Sequence, residues 1–140
     1  MFRYLSKYNS PMENDISTNE LEQAAQMLAA IGHPIRLQIF RQLMQAGPKG
    51  VAAGDIARAL GIAPSTLNFH LRALQSNQLI NSSTQGRFVM YTAEFESMAG
   101  LLAFLTEDCC GGNPCMATVL PKRIKHCTGS NKKPISNPNP

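Results

Sequence analysis

The sequence predicts a mainly α-helical fold of the winged helix-turn-helix class, in which helices are followed by a β-hairpin wing. Two short segments with helical periodicity are separated by Gly61, which is typical of the turn in this motif. Two β-prone runs follow on either side of Gln85-Gly86, which indicates a hairpin. The 140 residues suffice for one domain with tails, and 44% hydrophobic residues without tryptophan suit a core of Leu, Ile, Met and Ala.

The first two helices are indicated by their start signals. Ser17 and Glu20 have the spacing of a capping box, ahead of a helix over about residues 18–30. Apolar residues recur along this helix at helical spacing: Leu21, Ala24, Ala25, Leu28 and Ile31. Pro34 suits the first position of a second helix, which the glycines and proline of "AGPKG" end. The predicted buried face of the second helix comprises Ile35, Ile39, Phe40 and Leu43.

The helix-turn-helix is predicted in the stretch "VAAGDIARALGIAPSTLNFHLRALQSNQL". Its first helix covers about residues 53–60, and its second helix begins around Pro64. The side chains predicted to face inward are Ile56, Ala57, Leu60, Leu67, Leu71 and Leu74. The hairpin follows in "LINSSTQGRFVMYT", and a last helix is predicted over about residues 94–106. That helix has Phe95, Met98, Leu102 and Leu105 on one face, which Leu101 and Phe104 widen.

The helix that begins at Pro64 has the outward side chains that a helix in the DNA major groove needs. The predicted DNA-binding residues are Ser65, Thr66, Asn68, Phe69 and Arg72, together with Arg87 at the hairpin tip. Asn pairs with adenine, Arg binds guanine or phosphate, and an aromatic edge packs on the methyl group of thymine. The same pattern also fits a helical hairpin with a solvated polar face. The net charge of +4 and the pI near 9.0 permit a polyanionic partner without requiring one.

Three motifs in this region resemble the ArsR/SmtB family of metal-responsive repressors. "IGHPIRLQIFRQLM" looks like the family's Ala/Gly-x-Pro-x-Arg-Leu-x-Ile segment, "IAPSTLNFHLRAL" is similar to its recognition helix, and "GRFVMYT" is like its wing strand. The resemblance covers about residues 20–105 and implies a homodimer formed by the first and last helices. It also implies binding to a palindromic operator and release by an inducer. His70 lies in the recognition motif, where we expect a structural role, and we expect His33 to cap a helix.

The cysteines indicate where an inducer would bind. Two sensor sites of the family are absent: "VAAGDIARAL" has no Cys-x-Cys, and the last helix has no histidine. Instead, "EDCCGGNPC" contains three of the four cysteines, and thiolates prefer soft ions. Trivalent arsenic and antimony take three thiolates in a pyramid, so we predict Cys109, Cys110 and Cys115 as metal ligands. The cluster is similar to the C-terminal Cys-Cys…Cys site of some arsenite-responsive members.

Several alternatives to this interpretation remain open. Arsenite is the expected inducer, with Sb(III) or methylarsenite as variants, and no constitutive cofactor is expected. The cluster would also fit a sensor of zinc, cadmium or another soft metal, or a thiol that responds to oxidation. A zinc-stapled tail on an architectural DNA-binding protein is a further alternative. Cys127 either adds a ligand or has no role. An enzyme is not expected, because the chain has no Cys-x-x-Cys, phosphate-binding loop or convergent acid/base pair.

The predicted organisation follows from these segments. Residues 1–16 form a flexible arm, residues 17–107 the DNA-binding and dimerisation domain, residues 108–127 a cysteine-containing sensor segment, and residues 128–140 a disordered tail rich in Asn, Pro, Ser and Lys. No secretory signal or membrane span is visible, so we expect a cytoplasmic protein with reduced thiols. We further expect an ion bound at the end of the last helix to change the spacing of the two recognition helices.

Overall fold

The structure, a computed structural model, describes residues 17–112. The predicted arm, Cys115, Cys127 and the predicted tail lie outside these residues. The elements are α1 (Thr18–Ile31), α2 (Pro34–Ala46), a 3₁₀ turn (Gly47–Lys49), β1 (Val51–Ala52), α3 (Ala53–Leu60), α4 (Pro64–Ser76), β2 (Ile80–Gln85), β3 (Phe88–Ala93), α5 (Phe95–Thr106) and a second 3₁₀ turn (Cys109–Gly112). This order confirms the winged helix-turn-helix. No helix in the described part of the chain is long and apolar enough to span a membrane.

The first two helices begin at the residues that the sequence indicates. The Ser17 hydroxyl accepts a hydrogen bond from the Glu20 amide, and the Glu20 carboxylate accepts one from the Ser17 amide, so the capping box is confirmed. His33 caps α2, since its Nδ1 accepts a hydrogen bond from the Ile35 amide at 3.2 Å, and Pro34 occupies the first helical position. Each cap satisfies an amide that the helix itself leaves without an acceptor.

The core is built around α2 and α4. Its largest fully buried side chains are Ile39, Leu43, Ile56, Leu67, Leu71, Leu74, Leu79 and Ile80. Burying one such side chain contributes about 1.5–3 kcal/mol relative to leaving it in water. The predicted inward faces of α2, α3 and α4 are thus confirmed, with Ile35 and Leu60 only half-buried.

The sheet has three antiparallel strands in the order β1-β3-β2. The hairpin pairs Gln85 with Phe88, which leaves Gly86 and Arg87 as a two-residue turn at the tip of the wing. Gly86 has a φ of 62°, a conformation that favours glycine. The sequence did not predict β1, which pairs Val51 with Tyr91 and Ala52 with Met90. Two residues are too few for an alternating pattern to be visible.

The apolar faces of α1 and α5 differ from the buried ones. On α1 the buried residues are Ala24, Met27 and Ala30, whereas Leu21 and Leu28 of the predicted apolar stripe are exposed. On α5 only Leu101 is buried, and three of the residues predicted to share a face are exposed: Phe95, Leu102 and Leu105. The chain divides into two compact units, with the boundary within α5 after Leu101. These stripes therefore remain uncovered by the described part of a single chain.

Gly50 is where β1 requires a glycine. Its φ of 71° and ψ of −174° lie in a region essentially reserved for glycine, and an added Cβ would lie 2.5 Å from the Tyr91 carbonyl oxygen. Gly47 has a similar conformation, with φ 69° and ψ −151°, but an added Cβ would meet nothing within 4 Å.

We expect Gly50→Ala to lower the free energy of unfolding by about 2–6 kcal/mol, the sum of about 1–3 kcal/mol from backbone strain and about 1–3 kcal/mol from overpacking. Gly47→Ala is the matched control and should cost only the strain, about 1–3 kcal/mol. Urea denaturation of the two variants measures the difference. Equal losses in the free energy of unfolding would show that the close approach of Gly50 to β3 does not contribute to the effect of the substitution.

Candidate nucleic-acid interface

Helix α4 separates its apolar and polar side chains onto opposite faces. Leu67, Leu71 and Leu74 are at most 2% exposed. All five residues predicted to bind DNA on this helix are exposed: Ser65, Thr66, Asn68, Phe69 and Arg72. Because the leucines fix the rotation of α4 about its axis, they also fix which side chains point outward. The structure thus brings the five predicted DNA-binding residues of α4 together on one surface, the reading surface.

The N-terminus of α4 offers backbone donors as well. Ala63 is the N-cap residue and provides no side-chain acceptor, and Pro64 occupies the first helical position. The amides of the first turn therefore have no partner within the helix, and they lie at the positive end of its dipole. Together with the hydroxyls of Ser65 and Thr66, this helix end is suited to a phosphate group.

The charge of the recognition helix and wing has one sign. Residues 64–93 contain Arg72 and Arg87 but no Asp or Glu. Arg87 is exposed at the hairpin tip, as predicted. The carboxylate of Glu94, just beyond β3, accepts a hydrogen bond from the Asn81 side chain. A surface without carboxylates and with two fixed guanidinium groups favours a polyanion.

Two hydrogen bonds join the wing and the residue before it to the recognition helix α4. The Gln75 amide group on α4 donates to the Ser82 hydroxyl on β2 at 2.9 Å. At the end of α4 the Leu79 amide donates to the Leu74 carbonyl at 3.0 Å. The sequence did not predict the Gln75 contact, since the two residues belong to different elements. These hydrogen bonds link β2 and the residue before it to the C-terminal end of α4.

Phe88 is a candidate contact residue that the sequence reasoning missed. It follows Arg87 at the start of β3, and 65% of it is exposed. The β-prone pattern around it predicts a strand but not which strand residues face solvent. Its position directly beside the two-residue turn could have indicated that it is exposed, because a side chain there has few neighbours to pack against.

His70 is the buried polar residue behind the reading surface. It is 6% exposed, and its Nδ1 has no hydrogen-bond partner among the described residues. Burial, then the neighbouring His33 and Arg36, hold the pKa of His70 below its ordinary value of 6.5. His70 is therefore a neutral core side chain at neutral pH, which agrees with the structural role expected for it.

The predicted cysteine site begins directly after α5. The Thr106 hydroxyl donates to the Leu102 carbonyl at 2.7 Å near the end of the helix. Cys109 is half-buried, and the backbone then turns sharply, since Cys110 and Gly111 have φ values of 56° and 67°. Cys110 takes part in a disulfide bond. Within residues 17–112 no three His, Cys, Asp or Glu side chains come together as a metal site, and Cys115 lies outside them.

These features define a winged helix-turn-helix protein with a DNA-reading helix. A family model described as a helix-turn-helix domain matches residues 31–82. The chain is 33% identical over 89 residues to the HTH-type transcriptional regulator YgaV of Escherichia coli K12, covering 64% of this chain and 88% of the relative. It is 31% identical over 90 residues to the arsenical resistance operon repressor of Bacillus subtilis 168, covering 64% and 82%.

A solved structure agrees with these relatives. The homodimeric winged helix-turn-helix DNA-binding domain of a possible ArsR-family regulator from Mycobacterium bovis has a TM-score of 0.54 and 28% identity, covering 69% of this chain and 90% of that one. The chain belongs to the ArsR family of transcriptional regulators. The fold and the relatives are those of DNA-binding regulators and not of enzymes. They confirm the prediction that the protein is not an enzyme.

We expect Arg72→Ala to weaken binding to the operator by about tenfold and to reduce the salt dependence of binding by about one counterion per protomer. Arg41→Ala removes the same charge from an exposed position on α2 and is the matched control. Fluorescence anisotropy at several salt concentrations measures both quantities. The same change in affinity and salt slope for Arg41→Ala and Arg72→Ala would contradict a specific role for the α4 surface.

Proposed function

We propose that this ArsR-family protein is a metalloid-responsive transcriptional repressor. It binds operator DNA as a homodimer and is released when trivalent arsenic, or antimony, binds the thiolates of Cys109, Cys110 and Cys115. The observation that carries the proposal is the pair of adjacent cysteines in a sharp left-handed turn directly after α5. With Cys110 reduced, such a turn would give two soft donors at the end of a helix, in a family whose members regulate transcription.

Homodimer formation is supported by the uncovered apolar stripes. Leu21 and Leu28 on α1 and Phe95, Leu102 and Leu105 on α5 are all more than 40% exposed. Exposed apolar groups of this size are typical of protein interfaces. A two-fold dimer covers the same stripes on both protomers, and the Mycobacterium bovis relative is a homodimer. Two recognition helices related by two-fold symmetry would read a palindromic operator.

The choice of a metalloid rests on the chemistry of the donors. Three thiolates match the pyramidal coordination of trivalent arsenic, whereas a closed zinc site takes four ligands. The Bacillus subtilis relative is named as an arsenical resistance operon repressor, which supports the same inducer. Cys109 and Cys110 would supply two of the donors and Cys115 the third.

The proposed release step uses the position of the turn at the end of α5. If α5 contributes to the dimer, an ion held by Cys109 and Cys110 changes the order of that end of the helix. A changed dimer contact alters the distance or angle between the two copies of α4. Because operator half-sites have a fixed spacing, a small misfit loses several phosphate contacts together. A coupling free energy of about 1–3 kcal/mol, typical of allosteric proteins, suffices.

Thiol oxidation is a second candidate, favoured by the disulfide bond of Cys110. A sulfur in a disulfide is not available as a thiolate ligand, so oxidation and metalloid binding are competing fates of the same side chain. An oxidation sensor would release the operator without any ion and would bind it again after reduction.

For the dimer, we expect Leu28→Glu to raise the dimer dissociation constant by about a hundredfold or more. Symmetry removes two leucines from the interface, each worth about 1.5–3 kcal/mol when buried. Leu37→Glu is the matched control, because Leu37 is similarly exposed at 44% but lies on α2. Analytical ultracentrifugation measures both variants. Dimers of unchanged stability for Leu28→Glu would place the interface elsewhere.

For the sensor, we expect near-stoichiometric arsenite to release wild-type protein from the DNA upstream of its own gene under reducing conditions. Cys109→Ser, Cys110→Ser and Cys115→Ser should each bind DNA normally and stay bound in arsenite. Cys127→Ser, which changes the cysteine outside the cluster, should respond as the wild type does. Fluorescence anisotropy with arsenite, antimonite, methylarsenite, zinc and cadmium makes the comparison.

The other outcomes separate the alternatives. Release by zinc or cadmium alone would indicate a sensor for those metals, and release by an oxidant alone, reversed by a thiol reductant, would indicate an oxidation sensor. A triple Cys→Ser variant that is still released by arsenite would rule out the proposed site.

A further inference from the structure

Three aromatic rings connect the start of α2 with the reading surface of α4. The ring centroids of His33 and His70 are 4.8 Å apart, with an angle of 39° between the planes. The ring centroids of Phe69 and His70 are 5.5 Å apart, with an edge-to-face angle of 73°. His70 therefore contacts both the cap residue of α2 and the aromatic side chain that follows Asn68 on the exposed face of α4.

The outer ring of this series is exposed and the middle one is not. Phe69 is 68% exposed, while His70 is 6% exposed. An exposed phenylalanine has few contacts that limit its rotamers, and the ring contact with His70 is one of them. His70 is thus placed to restrict the orientation of Phe69, whose edge is suited to the methyl group of thymine in the major groove.

The surroundings of His70 favour the neutral imidazole over the charged one. The groups that act on it electrostatically are His33 and Arg36, both from the start of α2, and both disfavour a positive charge. Helices α1 and α3 and strand β2 also pack against α4, and no described charged group of theirs contributes. The Arg36 side chain is held in place, since its Nε donates to the Ala30 carbonyl.

His33 strengthens this restriction. Its Nδ1 accepts the hydrogen bond from the Ile35 amide that caps α2, and this bond holds the His33 ring beside the ring of His70. Protonating His70 would place a cation beside Arg36 and in contact with the ring of His33, with no carboxylate nearby in the described structure to compensate. The buried Nδ1 of His70 has no hydrogen-bond partner among the described residues, so a proton on this nitrogen would have no acceptor there.

We propose that His70 is a positioning residue for Phe69 that functions only as the neutral imidazole, so that operator affinity falls when His70 takes up a proton. This inference rests on the proposed binding of operator DNA through α4. It adds a proton-dependent control that is independent of the cysteines.

The direction of the pH dependence follows from the lowered pKa of His70. The intact arrangement is fully favoured above pH 6.5, the ordinary pKa of the imidazole, and is progressively lost as the pH falls below it toward the lowered value. One such group changes the equilibrium constant between the arrangement in which His70 contacts Phe69 and the arrangement in which this contact is lost by at most about tenfold per pH unit. At about pH 5.5 we therefore expect operator affinity to fall by up to about tenfold per protomer.

The experiment is a double-mutant cycle at two pH values, about 7.5 and about 5.5, on full-length protein without metalloid. Operator dissociation constants are measured for wild type, His70→Gln, Phe69→Ala and the double variant, with thermal denaturation showing that each is folded. We expect His70→Gln to weaken binding about three- to tenfold at the higher pH and by less than about twofold when Phe69 is already alanine. Its affinity should also be independent of pH.

His33→Asn provides the conservative comparison, because asparagine retains a side-chain oxygen to cap α2 but has no imidazole. This variant lacks one of the groups that lower the pKa of His70, so the pKa lies closer to its ordinary value. The pH range over which the intact arrangement is lost is then narrower. The variant should therefore lose less operator affinity at the lower pH than wild type does.

Additive effects of the two substitutions, or a pH response in His70→Gln equal to that of wild type, would overturn the positioning role. The positioning role would also be overturned if His70→Gln were unfolded at the higher pH and wild type bound the operator equally well at both pH values. If folded wild type binds no operator at either pH, the proposed operator binding fails as well. These results are distinguishable, since only the last one removes binding at the higher pH.

Discussion

The stripe of Leu67, Leu71 and Leu74 on α4 is the contact on which the rest of the fold depends. It packs within the core that Ile39 and Leu43 of α2 help to form. Because residues at these spacings share one face of a helix, burying them leaves a single rotation for α4. Asn68 and Arg72 then face solvent, with no side-chain hydrogen bond or ion pair to another described residue. One apolar interaction thus sets both the stability of the domain and the composition of its reading surface.

Local patterns therefore predicted the helices and the wing well. Capping signals, Pro34 and Gly61 mark ends that depend on neighbouring residues alone, and the structure has each of them. The third strand was missed, since β1 forms only because Gly50 lets the backbone approach Tyr91. The contact between His33 and His70 was also missed, because helical periodicity identifies residues that share a face but not their partners on other helices.

Periodicity likewise indicates an apolar stripe without showing what covers it. Ala24, Met27 and Ala30 line the buried side of α1, while Leu21 and Leu28 are exposed. Leu21 and Leu28 are thus available to a partner, in keeping with a homodimer. The sequence analysis predicted Cys109, Cys110 and Cys115 as donors from their chemistry, and this site stays a prediction because Cys115 lies outside the described residues.

The two proposed signals, metalloid binding by the cysteines and protonation of His70, both depend on pH. This dependence limits the pH range in which the protein can respond to the metalloid. A thiolate ligand must lose its proton before it binds a metalloid, so the affinity for inducer falls as the pH decreases. The stack of His33, His70 and Phe69 requires a neutral imidazole, so affinity for the operator falls in the same direction. At acidic pH the protein would lose DNA without inducer and would bind inducer poorly. Near neutral pH the imidazole of His70 is neutral, and release of the operator then reports the metalloid and not the proton.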